Sequence, residues 1–400
     1  MAPARFVFLK TETSKLFKVS QTPTLGFCVA RADEITRFVP EPYAAFQTLL
    51  SATSHTCLRY WTLHATVSMR GWSGSLDCAR GRIMKEADAK KVLAGIEKLR
   101  LGKIKLVKRK REVYPPPAAL NTVEMLKMAS KILGMGAHQT MHTAEYLYTS
   151  GYISYPRTES SRYPDAFEFR PLLEVQAGHP QWGSAARDVL AGKTICPTNS
   201  HAGIDAGDHP PITPVALCAA GDVGGDASRL YELITRHFIA TLSPSATWLR
   251  TTVHVDIGGE EFTVGGRSDV KLGWLAVVTY VPFGLCIIVL VAVSCCARYG
   301  GGKSELHLPA MEEGEDVTVQ GIHMTQKMTE PPEMLSESDL ITLMEQHKIG
   351  TDASIATHIN NIQERNYVRC EAGRRLVPTK LGIALCHGSV CTNQSAIFCV

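Results

Sequence analysis

The alternation of apolar and polar positions changes rhythm several times along this 400-residue chain. From Gln21 to about Ala119 the texture is mixed. Thr62–Met69, "TLHATVSM", repeats with the period of two expected of a half-buried strand, whereas Glu86–Arg100, "EADAKKVLAGIEKLR", has helical spacing. "KIKLVKRKREVY" (Lys103–Tyr114) alternates again, with six basic residues between Lys103 and Arg111. It predicts a strand with a positive outer face. A solvated sheet edge is the common explanation, a phosphate-facing edge the rarer one. Pro115–Pro117 then marks a linker or domain border.

Helical spacing follows. In "NTVEMLKMASKILGMG", Asn121 is placed to cap, with Glu124 at the third helical position. Val123, Leu126, Ile132 and Leu133 form the apolar stripe, and Gly134 and Gly136 close the helix. "TMHTAEYLYTSG" predicts a second helix ending at Gly151, and "YISY" (Tyr152–Tyr155) a short strand. Helix, helix, strand is the order of a winged-helix unit. Strand-like runs return after Thr241, as "TWLRTTVHVDI" and "EFTVGG". From Pro331 the pattern is helical: Ser336 caps, Asp339 sits in the first turn, Gly350 stops the helix and Thr351 opens the next. β-like segments on both sides of a helical block predict one domain inserted in another.

Composition changes this picture little. Hydrophobic residues make up 45% and the net charge is +4, which permits a nucleic-acid partner without demanding one. Twelve cysteines form no CxxC pair, so no zinc site is expected and reduced thiols are the default. Leu272–Ala297 carries no charge and is long enough to cross a bilayer. Pro282 and Gly284 interrupt it, and its β-branched residues equally suit buried strands.

The densest chemistry lies in "LYTSGYISYPRTESSRYP" (Leu147–Pro164). Tyr155 ends the expected strand beside the rigid Pro156, with Arg157 two positions on. A phenolate is a competent nucleophile toward a phosphodiester and a tolerable leaving group, so the link it forms is reversible. A guanidinium holds the non-bridging oxygens and neutralises developing charge. On spacing alone, an edge tyrosine with no chemistry is the more frequent case. His209, between Asp208 and two prolines, suits a phosphate contact or proton transfer. Thr351, Asp352 and Ser354 stand at a helix start, where free N–H groups favour a phosphate and an ordinary N-cap is equally compatible. Tyr152 suits base stacking or the core.

"LYTSGYISYPRTES" closely resembles the catalytic-tyrosine motif of type IA DNA topoisomerases, in the topoisomerase III version. "QTPTLGFCV" (Gln21–Val29), "ALNTVEMLKMAS", "DAGDHPPITP" (Asp205–Pro214), "RLYELITRHFIA" and "LITLMEQHKIGTDASIATHINNIQERNYV" resemble further blocks of that family in the same order. The match is densest for beta-type eukaryotic enzymes. The resemblance implies an α+β multi-domain toroid piece: a winged-helix-type (CAP-like) domain inserted in a β-rich arch, with helical base segments. Expected units are residues 1–35 (base, with the QTPTLG block), 36–115 (first half of the arch), 116–242 (catalytic-tyrosine domain), 243–328 (second half) and 329–400 (base).

The same resemblance implies Tyr155 as the nucleophile of a 5′-phosphotyrosyl link, Arg157 as the group positioning the phosphate and His209 near the cleaved strand. Gln21, Thr22, Tyr152, Thr158, Gly350, Thr351, Asp352 and Ser354 would contact nucleic acid. The complete enzyme would use Mg²⁺ held by a Toprim domain, whose DxD motif is not found in the twenty residues before the QTPTLG block, and no ATP, in keeping with the lack of a P-loop. The chain is thus expected to be a fragment, without the Toprim and cysteine-rich C-terminal parts and with an atypical apolar stretch at 272–297. Single-stranded DNA, with RNA as an alternative, and a protein partner of topoisomerase III enzymes are the expected partners; no membrane is expected. The expected location is the nucleus, with the cytoplasm as a second site. The rivals are a non-catalytic nucleic-acid-binding protein on this scaffold and a membrane-anchored protein.

Overall fold

The computed structural model describes residues 21–37, 59–192, 203–219, 221–278, 308 and 311–395. The QTPTLG block forms helix α1 (Gln21–Thr36). Strands β1 (Arg59–Met69) and β2 (Trp72–Cys78) are joined by a two-residue turn in which Arg70 and Gly71 both have positive φ, the mirror-image turn that matches strand twist. After α2 (Glu86–Ile96) comes the basic strand β3 (Leu101–Tyr114). The helical block contains α3 (Thr122–Met128), α4 (Ala137–Thr149), α5 (Phe169–Gln176), α6 (Gly183–Leu190) and the long α7 (Gly225–Thr241). Strands β4 (Ala246–Ile257) and β5 (Glu260–Lys271) follow, then a short α8 (Leu275–Val278) and β6 (Asp316–Met328). Helices α9 (Glu337–Gln346) and α10 (Ile355–Glu364), a small hairpin of β7 (Val368–Glu371) and β8 (Arg375–Pro378), and α11 (Lys380–Ser395) complete the order.

The six long strands close an antiparallel barrel in the order β1-β2-β5-β4-β3-β6, so strands from before and after the helical block meet in one sheet. Its interior is filled by Leu63, Ala65, Ile104, Val253, Val255 and Phe262. A second core joins α1, the helical block, α9, α10 and the small hairpin, with Leu25, Leu126, Leu147, Ile234, Ile341 and Ile359 among its buried members. The helix that leads to Tyr155 is therefore anchored against the base elements.

One sequence expectation holds for most of its length and four are corrected. β3 pairs with β4 from Lys103 to Tyr114 but with β6 only over Leu101–Lys103, so among the described residues the basic run from Lys105 onward has a strand partner on one side, as a sheet edge does. The helix begun at Asn121, whose side chain accepts the Glu124 N–H as expected, widens into a π-turn at Ala129–Leu133. The extra residue in that turn moves the stripe, so Ala129 and Met135 are buried while Ile132 and Leu133 are half-buried. "YISY" is not a strand; it is extended chain held by one bridge, Ile153 to Pro214. Finally, the helix expected to open at Thr351 begins at Ile355, after a turn. Ser336 and Asp339 do form a capping box, but α9 ends at Gln346, where Lys348 rather than Gly350 is the first residue beyond it with positive φ.

Of the apolar stretch 272–297, the described part, Leu272–Val278, ends in the buried α8; the remainder lies outside the described residues. Among the described residues no helix is long and apolar enough to cross a membrane.

Candidate active site

Local backbone chemistry delivers Tyr155 to its place. Helix α4 ends in a reverse turn: the Tyr152 N–H donates to the Leu147 carbonyl and the Gly151 N–H to that of Tyr148, each at 2.9 Å. Gly151 takes a φ of 80°, a left-handed conformation that glycine adopts without penalty. The chain then crosses Pro214, with the Ser154 N–H donating to the Thr213 carbonyl and the Ser154 hydroxyl to that of Pro211.

Beyond Tyr155 the chain is fastened from both sides. The fully buried hydroxyl of Thr122 donates to the Pro156 carbonyl at 2.7 Å and accepts the Thr158 N–H at 2.8 Å. Thr158, also fully buried, donates its hydroxyl to the His209 carbonyl at 2.7 Å. The Asp208 carboxylate accepts from the Glu159 N–H (3.0 Å) and the Ser160 hydroxyl (2.8 Å). The TES run is thus a clamp that ties the Tyr-Pro-Arg segment to the DAGDHP loop. This is a part for Thr158 that motif reading did not supply.

Within this clamp, the half-exposed Tyr155 ring lies edge-on to His209 (centroids 4.6 Å apart) and to Tyr148 (5.3 Å). Its hydroxyl takes no partner among the described residues. Arg157 directs Nε to Glu145 Oε1 at 3.0 Å, places Nη2 against the same oxygen, and donates from Nη1 to the Ala353 carbonyl at 3.4 Å. The Glu145 contact, opposed by partial desolvation, raises the guanidinium's pKa, and the charges of Tyr155 and Asp352 act in the same direction. The fold therefore brings Tyr155, Arg157, Thr158 and His209 together with the Gly350–Ser354 turn, although 196 residues separate Arg157 from Ala353.

That turn is closed on itself. Ser354 Oγ accepts the Thr351 N–H at 2.8 Å, and the Thr351 carbonyl accepts from Ser354 and Ile355. Gly350 has a φ of 82°, a conformation that favours glycine, and a Cβ there would be tight against Ser354 Oγ at 3.0 Å. Tyr152 is placed elsewhere: its ring faces Tyr231 at the core, 6.1 Å away. Desolvation and the neighbouring Asp222 carboxylate push its phenol pKa up. Gln21 and Thr22 form the first turn of α1, which packs on α10, but their side chains lie outside the described residues.

Glu145, Tyr148 and Thr122 were not legible as site residues. Helical spacing places Glu145 on an exposed face like any other acid, and only the fold shows it under Arg157. Among the described residues no cluster of three or more His, Cys, Asp or Glu is placed to hold a metal ion.

Asp208 supports one prediction. Desolvation opposes ionisation, but the Glu159 and His209 N–H groups and the Ser160 hydroxyl outweigh it and hold the carboxyl's pKa at about 2, against 3.8 ordinarily. A depressed folded-state pKa stabilises the clamp above about pH 4 and loses that stabilisation as pH falls toward 2. The Glu159 amide resonance is expected to titrate with a midpoint near 2, and Asp208→Asn to abolish the titration. A midpoint near 4 in the intact chain contradicts the clamp.

Clamp, open phenol and guanidinium sit together on a barrel-plus-helix scaffold, and the comparisons give the family of the chain that carries them. The chain belongs to the DNA topoisomerase family, whose profile matches residues 18–395. Within the family it is a type IA, topoisomerase III-like protein. It is 43% identical over 373 residues to human DNA topoisomerase 3-beta-1 (93% of this chain, 39% of the relative) and 40% identical to DNA topoisomerase 3-beta of Arabidopsis thaliana (93% and 38%). It is 34% identical to human DNA topoisomerase 3-alpha (92% and 33%). The chain thus spans about two fifths of the length of the beta relatives. Full-length topoisomerase I from Thermotoga maritima shares the fold, with a TM-score of 0.66 at 20% identity, covering 92% of this chain and 54% of that one.

Proposed function

We propose that this chain carries the tyrosine half of a type IA topoisomerase site, which cleaves one strand of single-stranded DNA, or of RNA, and reseals it. The observation that carries this reading is the unpartnered Tyr155 hydroxyl between the rings of His209 and Tyr148, beside a guanidinium fixed by Glu145. The phenol gives up its proton to solvent and its oxygen attacks phosphorus. The P–O3′ bond breaks and the 3′ oxygen leaves with a proton, while the 5′ phosphate stays on Tyr155. Reversal reseals the strand, so the bond energy is conserved and ATP is not consumed. Arg157 holds the non-bridging oxygens and His209 donates to the phosphate. Mg²⁺ and the proton donor to O3′ would come from a Toprim domain. Action in the nucleus, with the cytoplasm as a second site, belongs to the same reading, as does a protein partner.

The experiment is transfer of label. The chain is mixed with a separately produced Toprim domain, Mg²⁺ and a single strand labelled on the 5′ phosphate side, then quenched with detergent. Label on the Tyr155 peptide is expected. Label on another tyrosine, or none, overturns the assignment.

Glu145 gives a second handle. Glu145→Gln removes the charge that aims the guanidinium while keeping the side chain's shape. Since misplacement of a catalytic group by about 1 Å can cost on the order of a hundredfold, adduct formation is expected to slow by about ten- to a hundredfold, with strand affinity unchanged or slightly raised. Equal rates in a single-turnover assay of variant and parent exclude this role.

A further inference from the structure

We propose that the outer face of the β3–β4 ribbon is a second track for a single-stranded nucleic acid, held by its phosphodiester backbone and leading toward the block that carries Tyr155. It rests on the reading that this chain handles single strands, yet it shares no residue with the Tyr155 site.

The face is defined by register. Ile104 is buried and Val107 packs on the barrel interior, and a bulge between Ile104 and Leu106 absorbs the extra residue, so Lys103, Lys105, Lys108 and Lys110 are all exposed. Alternate residues on a strand stand roughly 7 Å apart, a spacing comparable with that of successive phosphates on an extended strand. The row continues sideways: Lys110 lies directly opposite Arg250 on β4, and Arg250 directly opposite Arg267 on β5.

Like charges directly opposite one another in a sheet cost stability, and the protein offsets that cost only in part: Lys103 stands directly opposite Asp256 and Asp316, and the Arg267 guanidinium lies over the Trp248 ring. Lys105 also pairs with Glu261 at 4.0 Å and Arg250 with Glu112 at 3.6 Å. Lys108 and Lys110 make no ion pair within 4 Å among the described residues. A polyanion laid along the ribbon would relieve the repulsion. The position is suited to the task, because β3 and β4 end at the pair Tyr114–Ala246, where the chain enters and leaves the helical block. A strand on this track would be fed toward, or led away from, the catalytic clamp. Contacts to phosphate alone carry no base preference.

Two measurements test it on the 400-residue chain. In the first, lysines are acetylated with and without oligothymidylate or oligouridylate, and the modified sites are read by mass spectrometry. Protection of Lys103, Lys105, Lys108 and Lys110 by both strands is expected, with Lys85 and Lys91 on the α2 side unprotected. In the second, binding of an oligothymidylate of about 30 nucleotides is followed by fluorescence anisotropy over a range of salt. Replacing those four lysines by Gln is expected to weaken binding at least about tenfold and lower the salt slope by roughly 3, at about 0.7 per lost phosphate contact. The control exchanges Lys85, Lys90, Lys91 and Lys98 for Gln, the same loss of charge, with a change of less than about twofold.

Equal losses in the two variants, or unprotected lysines on β3, overturn the track. So does equal protection by polyglutamate, which would make the face a general polyanion surface. The footprint is read on the unsubstituted chain, so misfolding of a variant cannot mimic failure. Tyr155→Phe leaves the expected footprint intact, so failure of the cleavage chemistry and failure of the track are separate results.

Discussion

Tyr155→Phe is expected to reduce covalent adduct to background, a loss of at least about a thousandfold, while leaving the fold and strand affinity in place. The substitution removes one oxygen. Because that oxygen has no hydrogen-bond partner among the described residues, its loss strands no buried donor or acceptor, and the stability change should stay within about 0.5 kcal/mol. The ring, which His209 and Tyr148 hold edge-on, remains. No other group of the clamp can replace the phenol: the hydroxyls of Thr122, Thr158 and Ser160 are engaged in tying the segment to its neighbours. The measurement is the label-transfer assay run beside thermal melting. Adduct formed by the Phe variant at a tenth of the parental rate would remove Tyr155 from the chemistry. A melting point far below the parent would instead show that the hydroxyl is structural.

The largest effect on stability is expected from Arg374→Ala. Glu337 is a carboxylate only 1% exposed, yet it opens α9 and faces the start of α4. Its Oε1 accepts the Ala137 N–H at 2.8 Å, satisfying one of the orphan donors at the start of the helix that leads to Tyr155. Its Oε2 accepts from Arg374 Nε at 2.7 Å and from Nη2. A Cβ on Gly136 would overlap that guanidinium, so the three groups are packed as a unit. Removing the arginine leaves a buried carboxylate with one amide donor, at a cost of about 3 kcal/mol. Calorimetry should show a fall of roughly 5–10 °C in the transition that includes the helical core. Arg374→Ala combined with Glu337→Gln is expected to recover part of it, because the uncompensated charge is then gone. A single variant that melts with the parent would show that water replaces the guanidinium at no cost.

Legibility varied with the range of the forces involved. Asn121 and Ser336 were readable as caps because a cap is made between residues three apart, and both are found. The basic run on β3 and the turn at Gly151 were readable for the same reason, since strand alternation and left-handed glycine are properties of a few neighbouring residues. The Tyr152–Tyr155 strand was overestimated: β-rich composition cannot say whether a partner strand exists, and here only Pro214 bridges it. The start of α10 was misplaced because the Ser354 hydroxyl takes the Thr351 N–H and holds that turn outside the helix.

By itself the amino-acid order determined which residue types could do the chemistry, the local turn that carries Tyr155 out of α4, and, through the resemblance of its motifs, the family. Those are short-range matters, decided by backbone conformations and hydrogen bonds between near neighbours. Only the tertiary structure decided that the first residues of β3 close a barrel against β6, that Glu145 rather than solvent receives Arg157, and that Ala353 comes to the same guanidinium. Such pairings join residues tens to hundreds of positions apart. What selects them is the burial of two cores and the satisfaction of polar groups trapped between elements, and neither leaves a periodic trace along the chain.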